Sequence, residues 1–304
     1  MRQQNGTRCS RNMITKYFQK ISFILPAMML LILLTGYPLL QVIQMSFYDY
    51  QNKSFPVFAG LSNYTTLILD SKFWDALSHT LVFTFSSVIL DLIVGMTLAV
   101  LLNQSINLRV RGILRSILMF PWLFSSSVVA ATWVLMLNPF GIINSTLHSI
   151  GFYDLSQIPW LSDERFALPA LILANVWRGF PFVMLMLLAG LQTVSKDYKE
   201  AAEVDGAGAL QTFIYIILPQ MKGVILTVTI LEIIWNFRSF DLVFLMTGGG
   251  PMNATEVLST YVYNQAFRSL NFGYASAIAL FMFLVMALTS IAYLKMALEK
   301  EVDP

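Results

Sequence analysis

Long apolar runs alternate with short polar segments along the whole chain. Six runs are long enough to cross a membrane, at about Phe23 to Met45, Leu81 to Leu102, Ile113 to Leu137, Ala167 to Val194, Val224 to Met246 and Tyr274 to Tyr293. A hydrocarbon core of about 30 Å takes about 20 helical residues. Backbone polar groups in lipid must be paired within their own segment, and runs of this length are helices rather than barrel strands. The pattern predicts an all-α membrane protein with six transmembrane helices. That domain covers residues 23-297, with tails at 1-22 and 298-304 and one long inner loop at 195-222. No internal repeat or low-complexity tract divides it.

Charge placement orients the bundle. Arg2, Arg8, Arg11, Lys16, Lys20, Arg109, Arg111, Arg115, Lys196, Lys199, Lys222, Lys295 and Lys300 fall on one side, and only Lys53, Lys72, Arg165 and Arg268 on the other. By the positive-inside rule both termini are cytoplasmic. Composition agrees with lipid as the solvent: 57% of the 304 residues are hydrophobic and 12% charged, against about 25% charged in soluble domains. The first apolar run is too long for a cleaved signal and no small-x-small pattern follows it. Cys9, the single cysteine, can form no internal disulfide. His79 and His148 are far apart and have no acidic or Cys neighbours at ligand spacing, which argues against a metal site.

On the outer side, Phe73 to Leu77 reads as an interfacial helix turn anchored by Trp74. The third outer connection opens with TGGGPMNATE, which suits either a tight turn or a shaped contact. On the inner side, Ser195 can cap a helix carrying Glu200, Ala201, Ala202 and Glu203. Gly206 and Gly208 then break or turn it, Leu210 to Leu218 forms a second short helix, and Pro219 ends that helix. The small alanines beside a carboxylate suit a docking surface for another protein; an ordinary loop with a helical turn is the alternative.

Charged residues inside spans are costly and mark candidate functional positions. Here they are Asp91, Arg178, Glu232, Arg238 and Asp241. Arg238 and Asp241 stand one turn apart and are a candidate pair. Glu232, Trp235, Asn236 and Ser239 follow i, i+3, i+4, i+7 spacing and share one helical face. An aromatic ring flanked by amide, hydroxyl and carboxylate suits a sugar. Asn175, Arg178, Gly179 and Phe182 offer a similar face in the fourth span. Helix-to-helix bonding is the competing use of any one of these polar groups. Arg178 raises an acidic cargo, such as a uronate or phosphorylated polyol, as an alternative, with Glu232 as a candidate partner within the chain.

One stretch is more specific. Glu200-Ala201-Ala202, three residues, Gly206, nine residues, Ile216, one residue and Leu218-Pro219 resembles the EAA motif of permease subunits of bacterial ABC importers. NVWRGFPF at 175–182, LAGLQTV at 188–194, FDLVFLMTGGGP at 240–251 and FGYASAIAL at 272–280 are similar to the carbohydrate-uptake, maltose-permease-like branch. The resemblance implies the type I importer permease fold in a bacterial inner membrane. It further implies that Glu200, Ala201, Ala202, Asp205 and Gly206 form a coupling helix held by a cytoplasmic ATPase. Partners implied are a second homologous permease, a dimer of ATPase subunits and an extracytoplasmic solute-binding protein, with no nucleic acid. In the maltose-type relatives the positions of Asn175, Arg178, Gly179, Phe182, Glu232, Trp235, Asn236 and Ser239 line the substrate cavity. The residue types at Arg178, Glu232 and Trp235 differ, so the cargo does not carry over. Where the family often has Pro before the coupling helix, this chain has Ser195.

No GxxxxGK[ST] stretch is present, because the GGGP run lacks the Lys and Ser/Thr that hold phosphate and magnesium. ATP and Mg are therefore expected on the partner ATPase, with no cofactor in this chain. No nucleophile-base constellation accompanies it, so the chain reads as a transporter subunit and not an enzyme. An ion-gradient-driven secondary transporter, using Asp91 and Glu232, is the competing class.

Overall fold

The computed structural model describes residues 24–50, 55–104 and 107–302. The N-terminal tail 1-22 with Cys9, together with Lys53, lies outside the described residues. Helix α1 (Ile24–Met45) leads into a small antiparallel hairpin of β1 (Tyr48–Asp49) and β2 (Val57–Phe58), in which Tyr48 faces Phe58. Helix α2 (Ser62–Leu69) is followed at once by α3 (Ser71–Asn103). The Asp70 side chain caps α3 by accepting the Lys72 N–H. Phe73 to Leu77 is thus not a separate interfacial turn but the first part of α3, because no breaker separates it from the span.

The third apolar run is bent. Helix α4 (Leu108–Leu123) and helix α5 (Ser126–Met136) meet at 94°. Pro121 lacks the N–H that would continue the helix, and the chain tightens into a 3₁₀ turn at Phe120–Leu123. Ser125 then starts a new helix by accepting the Val128 N–H. After α6 (Ile142–Ser149), Trp160 Nε1 donates to Asn144 Oδ1 at 2.7 Å and ties the connection together.

Helix α7 (Glu164–Thr193) carries Pro169 and Pro181 without a break. Then come α8 (Lys196–Val204), α9 (Ala209–Gln220) and α10 (Lys222–Phe237), the last two meeting at 71°. Pro219 does not end the second short helix. The helix runs on to Gln220, and the break falls at Met221. The fifth run also stops early: α10 ends at Phe237, Arg238 leaves helical geometry, and α11 (Asp241–Met246) is separate. Arg238 and Asp241 therefore share no helix, and the one-turn spacing that would pair them does not exist. Helix α12 (Leu258–Tyr263) and α13 (Phe272–Val302) complete the chain.

Four of these helices, α1, α3, α7 and α13, are long and apolar enough to cross a membrane, and each bent pair passes the same test together. Their outer surfaces stay apolar, with Leu33, Leu135 and Leu288 about two-thirds exposed or more, as expected where lipid is the solvent.

Close contacts fix helix directions. Gly179 meets Asp91 and Gly95 meets Val183, so α3 and α7 advance together and run parallel. Asn175 pairs with Asn236 and Gly190 meets Val224, so α7 and α10 are antiparallel. The chain between α3 and α7 must return along that length, and the bent α4–α5 pair does so. At the end of the bundle where α3 and α13 begin, Asp70 accepts hydrogen bonds from Tyr261 and from Tyr274, the latter at 2.6 Å. Partial burial pushes the pKa of Asp70 up, but the bonds from both tyrosines and the Lys72 and Phe73 amides outweigh it and hold the carboxyl below its ordinary value.

Candidate functional site

The facing polar stretches of α7 and α10 enclose a cavity of about 540 Å³. Asn175, Arg178 and Gly179 of α7 line it together with Glu232, Trp235 and Asn236 of α10 and with Ser239. Ser239 reaches the cavity although α10 has already ended, so its i+7 helical position is not what places it there. Phe182 stands at the margin, with its ring 5.0 Å from Trp235 and 5.9 Å from Trp122, the latter stacked at 23°.

Buried amides set the back wall. Asn175 Nδ2 donates to Asn236 Oδ1 at 2.6 Å, and Asn236 Nδ2 donates to Glu232 Oε2 at 3.0 Å. Asn236 also donates to the Glu232 backbone carbonyl, one turn back. Glu232 is thereby held by its own helix. Arg178 instead reaches α5, where its Nη1 donates to Ser126 Oγ at 3.0 Å. The expected Arg178–Glu232 ion pair is not formed: each side chain has a nearer neutral partner, and among the described residues the ion pair within 4.0 Å is Arg165–Asp163.

Four lining residues, Trp122, Ser126, Phe240 and Leu242, were missed in the sequence; the last two follow the early end of α10. Trp122 and Ser126 lie at the α4–α5 break, where a run read as one straight span hides an inward-facing kink. Pro121 was the available signal. The lining also carries Arg238 and Asp241, so two cations face two carboxyl groups. With Trp122, Trp235 and Phe240 in the lining and Phe182 at its margin, the cavity can stack the C–H face of a sugar and exchange hydrogen bonds with its hydroxyls.

A second site lies in the loop joining α7 to α10. Ser195 caps α8 by accepting the Asp197 N–H at 3.2 Å, which replaces a leading proline. At the far end Gly206 adopts φ +81°, its N–H donates to Glu203 O, and the Ala207 N–H donates to Ala202 O. This is the Schellman arrangement, which needs a left-handed residue at the position after the cap. The motif glycine thus terminates α8, and Asp205 is the residue at the helix C-cap. Glu200, Ala201, Asp205 and Gly206 are exposed, whereas Ala202 is turned inward with 5% exposure. Val204 at 87% and Tyr198 at 59% exposure extend the outer face of α8, and neither stood out in the sequence.

A multi-helix membrane permease, with a polar cavity mid-bundle and a helical loop between its two lining helices, is the class that fold and site define. Residues 91–297 match the family described as binding-protein-dependent transport system inner membrane component, and the chain belongs to it. It is a multi-pass inner-membrane component of an ABC importer, a transporter part rather than a catalytic subunit, and this sets aside the ion-gradient class. The trehalose/maltose transport system permease protein MalF of Thermococcus litoralis is 38% identical over 239 residues, 78% of this chain and 79% of that protein. The sulfoquinovosyl glycerol transport system permease protein SmoG of Agrobacterium fabrum is 33% identical over 279 residues, 91% and 89% of the two chains. Among solved structures, a bacterial ABC transporter involved in import of the acidic polysaccharide alginate superposes with a TM-score of 0.81 at 23% identity, over 96% of this chain and 99% of that one. The same kind of transporter, in complex with an alginate pentasaccharide-bound periplasmic protein, gives 0.79 at 22% identity, over 93% and 94%. At such identities the likeness is one of fold.

Proposed function

We propose that this chain is the membrane-spanning permease subunit of an ATP-driven importer for a neutral sugar or oligosaccharide. Six crossings with both termini in the cytoplasm are supported by the alternating helix directions and by the clustering of Lys and Arg in the connections at one end. An extracytoplasmic binding protein delivers the cargo to the end of the bundle bearing the hairpin and the TGGGP loop. A second homologous permease completes the pathway, and a pair of cytoplasmic ATPase subunits, carrying ATP and Mg, grips α8.

The carrying observation is one of connectivity. Both cavity-lining helices run directly into the same loop, α7 two residues before α8 and α10 through the Met221 break after α9. A displacement of α8 is therefore transmitted along α7 and α10 to the cavity, about 22 Å away for the fifteen residues from Arg178 to Thr193. In this reading, closure of the ATPase pair moves the loop and opens the cavity outward, and hydrolysis resets it inward. Trp235, Phe182 and Trp122 stack the sugar, while Asn175, Asn236, Glu232, Arg178 and Ser239 exchange hydrogen bonds with it.

Neutral cargo is favoured by the matched charges of the lining, Arg178 and Arg238 against Glu232 and Asp241. Uptake of neutral and uronic-acid oligosaccharides by the complete transporter in proteoliposomes tests this. Preference for the neutral series is expected; exclusive uptake of uronates would transfer the assignment to an acidic cargo. Active transport by this chain purified alone, without ATPase or second permease, would overturn the importer assembly itself.

A further inference from the structure

Asp91, on α3 behind the cavity wall, is fully buried, and neither of its carboxylate oxygens has a hydrogen-bond partner. Helix α7 fixes its place: a Cβ on Gly179 would fall 2.8 Å from Asp91 Oδ2, so the carboxylate lies against the α7 backbone only because that residue is glycine. The preceding residue is Arg178. Its Nη1 donates to Ser126, but its Nε is buried and unpartnered.

A carboxylate and a guanidinium donor, each short of partners, thus stand on facing helices beside the same turn of α7. A buried polar group without a partner is destabilising, and more so when it is charged. Arg178 has a long, rotatable side chain that can turn from α5 toward α3, and doing so satisfies both groups. Among the described residues no other charged side chain is as well placed to serve Asp91. Glu232 carries the same sign and is held by Asn236, and Arg238 lies beyond the end of α10.

The geometry points to Asp91 as a positioning residue for Arg178. The guanidinium alternates between Ser126, where its charge faces the cavity, and Asp91, where that charge is neutralised within the wall. Asp91 thereby sets how cationic the lining is: with Arg178 at Ser126 two cations meet Glu232 and Asp241, and with Arg178 at Asp91 one of those cations is withdrawn. This rests on the cavity being the pathway, as argued above.

The test reads cavity charge directly. In the complete transporter carrying Cys9→Ser and Ser239→Cys, modification rates are measured with membrane-impermeant methanethiosulfonates, one anionic and one cationic. Asp91→Asn is expected to raise the anionic-to-cationic rate ratio by about threefold or more, the scale of one screened charge at several ångströms. In an Arg178→Gln background the same substitution is expected to leave the ratio unchanged. Asp91→Ser provides a second variant should Asn disturb assembly. An unchanged ratio with Arg178 present, as when water rather than Arg178 serves Asp91, overturns the proposal. So does an equal change in both backgrounds, since Asp91 would then act without Arg178. A parent Ser239→Cys chain that reacts with neither reagent overturns the aqueous pathway reading, and the proposal with it.

Discussion

Asn175 of α7 donates to Asn236 of α10 across 2.6 Å, joining two antiparallel helices at the floor of the cavity. Both side chains are buried, and Asn236 also satisfies Glu232. Replacing Asn236 with Leu leaves one amide and one carboxyl without a partner, a loss of about 1–3 kcal/mol. The variant is expected to melt several degrees lower in detergent and to transport poorly. An unchanged melting temperature would show that the network does not hold α7 to α10.

Trp235 is 40% exposed to the cavity and packs its ring on Phe182. Trp235→Ala removes a stacking face worth about 0.5–1.5 kcal/mol, so KM for uptake is expected to rise by roughly three- to tenfold. The ATPase subunits are expected to stay bound, which co-purification checks. Loss of the ATPase from this variant would assign Trp235 to assembly rather than to cargo.

Gly206 ends α8 at φ +81°, and a Cβ there would meet nothing within 4 Å. Gly206→Ala therefore acts through backbone strain of about 1–2 kcal/mol and not through a clash. It is expected to misdirect α8 and uncouple ATP hydrolysis from uptake while membrane insertion is intact. Glu200→Gln, on the exposed face, is expected to uncouple in the same way. Normal transport by both variants would exclude α8 as the coupling element.

Asp70 gives a pH dependence at the opposite end of the bundle. Its carboxyl is held below the ordinary value of 3.8, so its ionised form is favoured by folding. The stabilisation is present above that value and is lost as pH falls through the lower folded value. Asp70→Asn is expected to lower the melting temperature at pH 7, where the charge-assisted bonds from Tyr261 and Tyr274 contribute about 1–3 kcal/mol. The difference from the parent is expected to shrink below pH 4. A constant difference across that range would show that charge is not what Asp70 contributes.

By itself the sequence determined the solvent and the position of the apolar runs that become helices, though not every helix end or bend. Chain-length apolar runs have one solution in lipid, and the spacing from Glu200 to Pro219 identified the loop that links two of them. It also selected side chains that share one cavity, because Asn175 and Arg178, or Glu232 and Asn236, lie on one face of a regular helix. Tertiary structure decided what periodicity does not encode. The kink at Pro121 to Ser125 brought Trp122 and Ser126 into the lining, and the early end of α10 separated Arg238 from Asp241. Ala202 turned inward while Val204 turned out. Arg178 bonded to Ser126 rather than Glu232, and Asp91 was buried against Gly179. Each of these depends on which helix faces which across the bundle, a relation set by close packing between residues distant in the chain and absent from any local pattern.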